Sequence, residues 1–355
     1  GLEITLGESD LAGDLEIGLG ERTRIEGKLA SRDLDLRPWK ASQARDDGAK
    51  TKPDTPYVFD DTPVMRIGDY GIDVNLETSI DQVDLGHTQL EDIYFALQLQ
   101  KNVLDLSDFT LSGKGGGQLS GNALLDARQG VPALDVDIQA TDLRTGLGSG
   151  VGQDTSTWPP GDFDIRLKGS GSTRREMASS MNGKIRISYG SGLMALEMFE
   201  FFMSDFLTEL LNTLNPFSES SEFTELECIV AAANLTNGQV EVLPVIFRTQ
   251  QITIISKGTI DLHTEKIDLS FNSSPRKGLG LSAAALINPF IKVGGRLKGP
   301  VMELDPAGTV VKGGLAVATA GMSILAKSLS DRFLSSKDPC GDALKAIEAA
   351  DQDSP

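Results

Sequence analysis

Ile72-Asp73-Val74-Asn75-Leu76-Glu77 places an apolar side chain at every second position and a polar one between. A period of two sends alternate side chains to opposite faces of a β-strand, so this stretch reads as a strand with one apolar and one polar face. The same reading extends outward. Phe95, Leu97 and Leu99 alternate with Ala96, Gln98 and Gln100, and Leu134, Val136 and Ile138 with Asp135, Asp137 and Gln139. Upstream stand Leu2-Ile4-Leu6, Leu15-Ile17-Leu19 and Ile25-Gly27-Leu29. Downstream stand Phe163-Ile165-Leu167, Ile185-Ile187-Tyr189, Ile252-Ile254, Ile267-Leu269-Phe271 and Val293-Gly295-Leu297. At a spacing of about ten residues this gives about 18 to 20 strands. Because the chain opens directly on such alternation, it is expected to be a fragment of something longer.

Helix signals are fewer. Ser172 to Asn182 reads as a short helix, with Thr173 and Glu176 at capping-box distance and Asn182-Gly183 as the stop. Leu193 to Leu214 carries an apolar stripe in steps of three and four, ended by Asn215-Pro216. Its face Leu196, Phe199, Phe202, Met203, Phe206 and Leu210 reads either as a core helix plugging the sheet or as a helix resting on lipid or membrane. Asp338-Pro339 caps a final helix to Ala350. Asn237-Gly238 marks a tight hairpin. Residues 40–63 read as a mobile loop, and residues 144–161, rich in Gly, Ser, Thr and Pro, as a linker or long loop.

Bulk composition removes several classes of function. The 355 residues carry a formal net charge of −18, whereas nucleic acid needs clustered Lys and Arg. The same charge opposes a broad electrostatic landing on anionic lipid, though not the capture of single lipids by apolar contact. No run of 18 apolar residues is present to span a bilayer. The only histidines, His87 and His263, show no metal-ligand spacing. GxSxG is absent, the Gly113–Gly121 cluster leads into a strand rather than a phosphate-binding helix, and no carboxylate pair stands out. No enzyme, cofactor or metal is expected. Cys228 and Cys340 are either a disulfide, which suits an oxidising compartment, or two separate thiols.

An antiparallel sheet with one apolar face must bury that face. Helix over about 40 to 60 residues is too little to cover so many strands. The remaining solutions are a second sheet, closure into a barrel, or a groove for an apolar ligand, and periodicity does not choose among them.

Four segments, in order, carry a resemblance. They are Ile25-Glu26-Gly27-Lys28-Leu29 through Leu34-Asp35-Leu36-Arg37-Pro38-Trp39, and Gly169-Ser170-Gly171-Ser172-Thr173-Arg174-Arg175-Glu176 through Met181-Asn182-Gly183. Then come Gly258-Thr259-Ile260-Asp261-Leu262 with Ile267-Asp268-Leu269, and Asn288-Pro289-Phe290 through Val293-Gly294-Gly295-Arg296-Leu297 and Pro300. Together they resemble the C-terminal region of the AsmA family of bacterial envelope proteins, a class similar to TamB-like bridge-like lipid transfer proteins. The resemblance implies a long curled antiparallel sheet forming an apolar groove, in the periplasm, anchored in the inner membrane by an N-terminal helix absent here. It implies phospholipid as ligand, inner and outer membrane as partners, envelope proteins as further partners, and no nucleic acid. The alternative is a β-sandwich scaffold or assembly factor for outer-membrane proteins.

On this reading residues 1–143 form the N-terminal part of the groove, 162–308 its C-terminal part, and 309–355 a C-terminal helical segment. Alternation nominates Leu97, Leu99, Val136, Ile138, Ile165, Leu167, Ile185, Ile187, Ile254, Leu269 and Phe271 as the groove lining.

Overall fold

The computed structural model describes residues 1–7, 9–36, 56–65, 71–85, 88–146, 154–195, 223–276, 290–305, 333 and 335–352. These form one 17-stranded sheet that does not close into a barrel. Its strands are β1 (Leu2–Leu6), β2 (Ser9–Gly18), β3 (Thr23–Asp35), β4 (Ile72–Asp84), β5 (Gln89–Gln100), β6 (Val103–Gly113), β7 (Gln118–Asp126), β8 (Ala133–Leu143) and β9 (Gly161–Ser170). They continue as β10 (Asn182–Tyr189), β11 (Gly192–Ala195), β12 (Phe223–Thr236), β13 (Gln239–Thr249), β14 (Ile252–Asp261), β15 (Lys266–Pro275), β16 (Phe290–Arg296) and β17 (Gly299–Asp305). Each pairs with its sequence neighbour, except that β10 and β11 lie end to end along β12. Every pairing is antiparallel but one. β3 and β4 run parallel, Thr23 opposite Ile72 and Asp35 opposite Asp84, so the chain between them crosses from one rim of the sheet to the other.

The local signals explain the turns. Thr173 and Glu176 form the capping box of helix α1 (Arg174–Ser179): the Glu176 amide donates to the Thr173 hydroxyl at 3.2 Å, and the Thr173 amide donates to the Glu176 carboxylate at 3.3 Å. Asn237 and Gly238 both take positive φ (47° and 73°) and join β12 to β13, as a two-residue hairpin requires. Bulges bend the long strands. In β5, β6 and β8 the register slips beside Asp92, Asp108 and Asp142, which sit at φ 50°, 51° and 51°. Aspartate tolerates this left-handed conformation, and each bulge adds a kink that curls the sheet.

Helix α2 (Pro339–Gln352) packs on one face of the sheet. Its Cys340, Ala343 and Ile347, with Phe333, pack on Val230, Ala232, Ile246 and Ile255. Cys228 of β12 and Cys340 form a disulfide, which closes the alternative of two separate thiols. At the other end of the helix Asp351 pairs with Arg186 at 2.5 Å and Lys184 at 3.3 Å.

One expectation is corrected. Leu193 does not start a helix: it lies in β11, paired with Glu225 across the ladder to β12, while Met194 and Ala195 beside it are buried. Its periodicity continues from strand into stripe, so spacing alone hid the boundary. Leu196, Phe199, Phe202, Met203, Phe206 and Leu210 lie outside the described residues, as do residues 40–55 of the expected loop and residues 309–332 of the C-terminal segment.

Candidate functional site

Strand register decides which side chains share a face. One rung of partners begins Leu15–Gly27–Leu76–Leu97–Leu106–Ala123–Val136–Leu167. It continues Gly183–Leu235–Val240–Ile260–Ile267. A second, two residues away along the strands, runs Ile138–Ile165–Ile185–Ala233–Val242–Gly258–Leu269–Val293–Met302. Leu99, Ile187 and Phe271 stand two residues along from members of these rungs. Ile254 reaches the same face through Phe247, Ile229 and Tyr189. All the residues nominated from alternation therefore fall on one face, and no Asp, Glu, Lys or Arg stands on these rungs.

That face is the apolar side of the curled sheet. Ile80, Val83, Ile93, Leu111, Ala140 and Leu143 form a buried cluster on it near one rim, beside the bulges, with no described helix over them. A second buried cluster on it, at β14 to β16, is made of Ile252, Ile254, Ile267, Ile291 and Val293, and between the two the face is only partly covered. Of the nominated residues, Ile254 is buried at 6 % exposure, and the rest are half-buried. Towards β1 the face opens further, with Leu15 39 % and Ile17 56 % exposed. Tyr189 is the aromatic polar group here, and burial pushes its phenol up to about 12.

Charge is confined to the opposite face. Asp135 pairs with Lys168 at 2.8 Å, Asp164 with Arg166 at 3.0 Å, and Glu77 with Lys28 at 2.6 Å. The Asp135 hydrogen bond holds Lys168 above the usual lysine range. Asp135–Lys168 and Glu77–Lys28 are cross-strand pairs and Asp164–Arg166 lies along β9, and this polar face is where much of the acidic composition goes.

His263 is half exposed in a turn, its Nδ1 3.4 Å from Asp261, and no group of metal-ligating side chains is present among the described residues. His87 lies outside the described residues.

Sequence reasoning missed one feature. Residues 56–63, the end of the expected loop, and the two that follow are tied to the sheet rim. Val58 and Phe59 amides each donate to Glu265 at 2.7 Å, and Glu265 is 1 % exposed. No pattern signalled this contact, because the partners lie about two hundred residues apart.

The AsmA family profile matches residues 21–244. The chain belongs to the AsmA family. It is 22% identical over 346 residues to the AsmA family protein YhjG of Escherichia coli K12, an alignment covering 93% of this chain and 49% of that protein. The chain thus spans about half the length of the curated relative it matches. No solved structure matches it.

Proposed function

We propose that this AsmA family chain holds phospholipid acyl chains against its apolar face and passes phospholipid between the inner and outer membranes, as the periplasmic part of an inner-membrane-anchored protein. The observation that carries the reading is the pair of uncharged rungs along the sheet, half-exposed from β4 to β10. Each methylene buried there contributes roughly 0.8 kcal/mol, so one acyl tail outweighs the loss of its own freedom on binding. At about 4.8 Å per strand the trough runs roughly 75 Å, a length suited to bridging rather than enclosing. Transfer along it needs no bond making. The Cys228–Cys340 disulfide supports an oxidising compartment such as the periplasm.

A dry sandwich scaffold is disfavoured by topology: every described strand belongs to one sheet, and no second sheet packs on the apolar face. Native mass spectrometry with lipid extraction tests the proposal. Phospholipid is expected to co-purify with the chain, and protein that is lipid-free after expression in a bacterial envelope overturns it.

A further inference from the structure

Basic residues are distributed unevenly along the sheet. Eight of the 33 Lys and Arg fall from Arg248 at the end of β13 to Lys298 in the β16–β17 turn, against only three of the 51 Asp and Glu. One of those three, Glu265, is buried and taken up by the Val58 and Phe59 amides. A second, Asp261, accepts from the His263 amide and the Thr264 hydroxyl. That leaves Asp268 as the exposed carboxylate of the stretch.

Register gathers the cations. Lys257, Lys266 and Lys292 each adjoin residues of the apolar rungs on β14, β15 and β16, so they share the opposite, polar face. Ser270 stands between Lys257 and Lys292 across the ladders, and Lys266 stands directly opposite Arg296. Like charges opposite each other weaken a sheet, so pairing within the fold does not explain their placement. Elsewhere on this face lysines meet carboxylates, as in Lys28–Glu77 and Lys168–Asp135. Lys257, Lys266 and Lys292 make no ion pair among the described residues. Burial draws Lys257 below the usual lysine range, and no carboxylate offsets it. Lys266 and Lys292 are exposed, and α2 covers this face only as far as Ile255. Val301 of the edge strand β17, paired with Gly294 and 56 % exposed, adds an apolar contact beside them.

We propose that the polar face of β14–β16 is a landing surface for an anionic phospholipid membrane. The choice of a membrane as partner rests on the lipid reading above. The net charge of −18 opposes a broad landing. At physiological salt, however, a charge is felt over only about 8 Å, so a membrane held at this patch meets the local cations and is screened from the carboxylates of distant strands. Lysine suits a fluid surface, because its ammonium is a point charge that meets phosphate from many directions.

Flotation of the 355-residue chain with vesicles tests the surface. Wild type should float with phosphatidylethanolamine–phosphatidylglycerol vesicles about tenfold more than with phosphatidylcholine vesicles, and high salt should abolish the difference. Lys257→Gln, Lys266→Gln and Lys292→Gln together should remove it. The exposed pair Lys266→Gln and Lys292→Gln should weaken it several-fold, which keeps the test open if the triple variant folds poorly. Lys28→Gln, Arg166→Gln and Lys168→Gln remove the same charge from β3 and β9 and should leave flotation unchanged. The landing surface is overturned by wild type that does not float, by flotation indifferent to salt and to phosphatidylglycerol, or by equal loss in the two triple variants. Phospholipid co-purification reads the other claim and should be the same in every variant. Wild type that floats but carries no phospholipid overturns the acyl-chain reading and leaves the landing surface standing. Wild type that carries phospholipid without floating does the reverse.

Discussion

Gly183 shows how closely the apolar face is constrained. It stands on the main rung at φ 136°, and a Cβ there would lie 1.9 Å from the carbonyl oxygen of Arg166 on β9. Gly258, on the neighbouring rung at φ 149°, would meet the Asp268 carbonyl oxygen at 2.0 Å. Glycine lets the strands coil tightly at these points, where any side chain would push two backbones apart. Gly183→Ala is expected to destabilise the fold by roughly 1–3 kcal/mol or more, read as a lower urea midpoint, while Ala at the exposed Gly130 turn, which meets nothing within 4 Å, costs only its positive φ. A Gly183→Ala midpoint no lower than that of Gly130→Ala would contradict this account. In sequence both glycines look like interruptions of an apolar pattern, and only the register shows that they sit on it.

At the scale of elements, α2 is the piece whose attachment is most exposed to conditions. Its disulfide closes a separation of 112 residues, for which the chain-entropy argument gives roughly 4–5 kcal/mol. Cys228→Ser should lower stability by about that order and leave the helix held by its apolar contacts and by Asp351. Burial disfavours ionisation of Asp351, but hydrogen bonds and charge from Arg186 and Lys184 outweigh it and hold the carboxyl below 3.8. A depressed carboxyl adds stability above its unfolded value and loses it as pH falls through the folded one. In Cys228→Ser, amide exchange in α2 should therefore accelerate as pH falls through the depressed range of Asp351, more than it does in the disulfide-bonded protein. Equal acid sensitivity in the two would show that the ion pairs contribute nothing to docking. The helix itself was readable from Asp338-Pro339 and the residues after it. Its docking surface was not, because Val230, Ala232, Ile246 and Ile255 are the apolar exceptions on an otherwise polar face.

For the whole molecule, the two faces predict opposite tolerance to charge. Ile138→Asp and Leu167→Asp place a carboxylate on the half-exposed rungs, and each should abolish lipid co-purification while the chain stays folded, since neither residue is fully buried. Asp137→Lys, on the opposite face of the same strand, should leave lipid content unchanged. Equal lipid loss from both faces, with circular dichroism unaltered, would rule out the apolar face as the binding surface. The apolar face is also asymmetric: Leu15 and Ile17 are exposed at β2, whereas Ile254, Ile267, Ile291 and Val293 are buried at β14 to β16.

The amino-acid sequence by itself determined the strands, the capped turns and the membership of one face, because a period of two fixes side-chain direction locally, residue by residue. Leu97, Val136, Ile165 and Leu269 could each be assigned to the apolar side of its own strand without a partner, and register then brought those sides onto one face. The tertiary structure alone decided that the sheet stays a single open curl, that Cys228 meets Cys340, and that residues 56–65 reach Glu265. Those outcomes depend on bulges, register and closure over long separations, which no local pattern encodes.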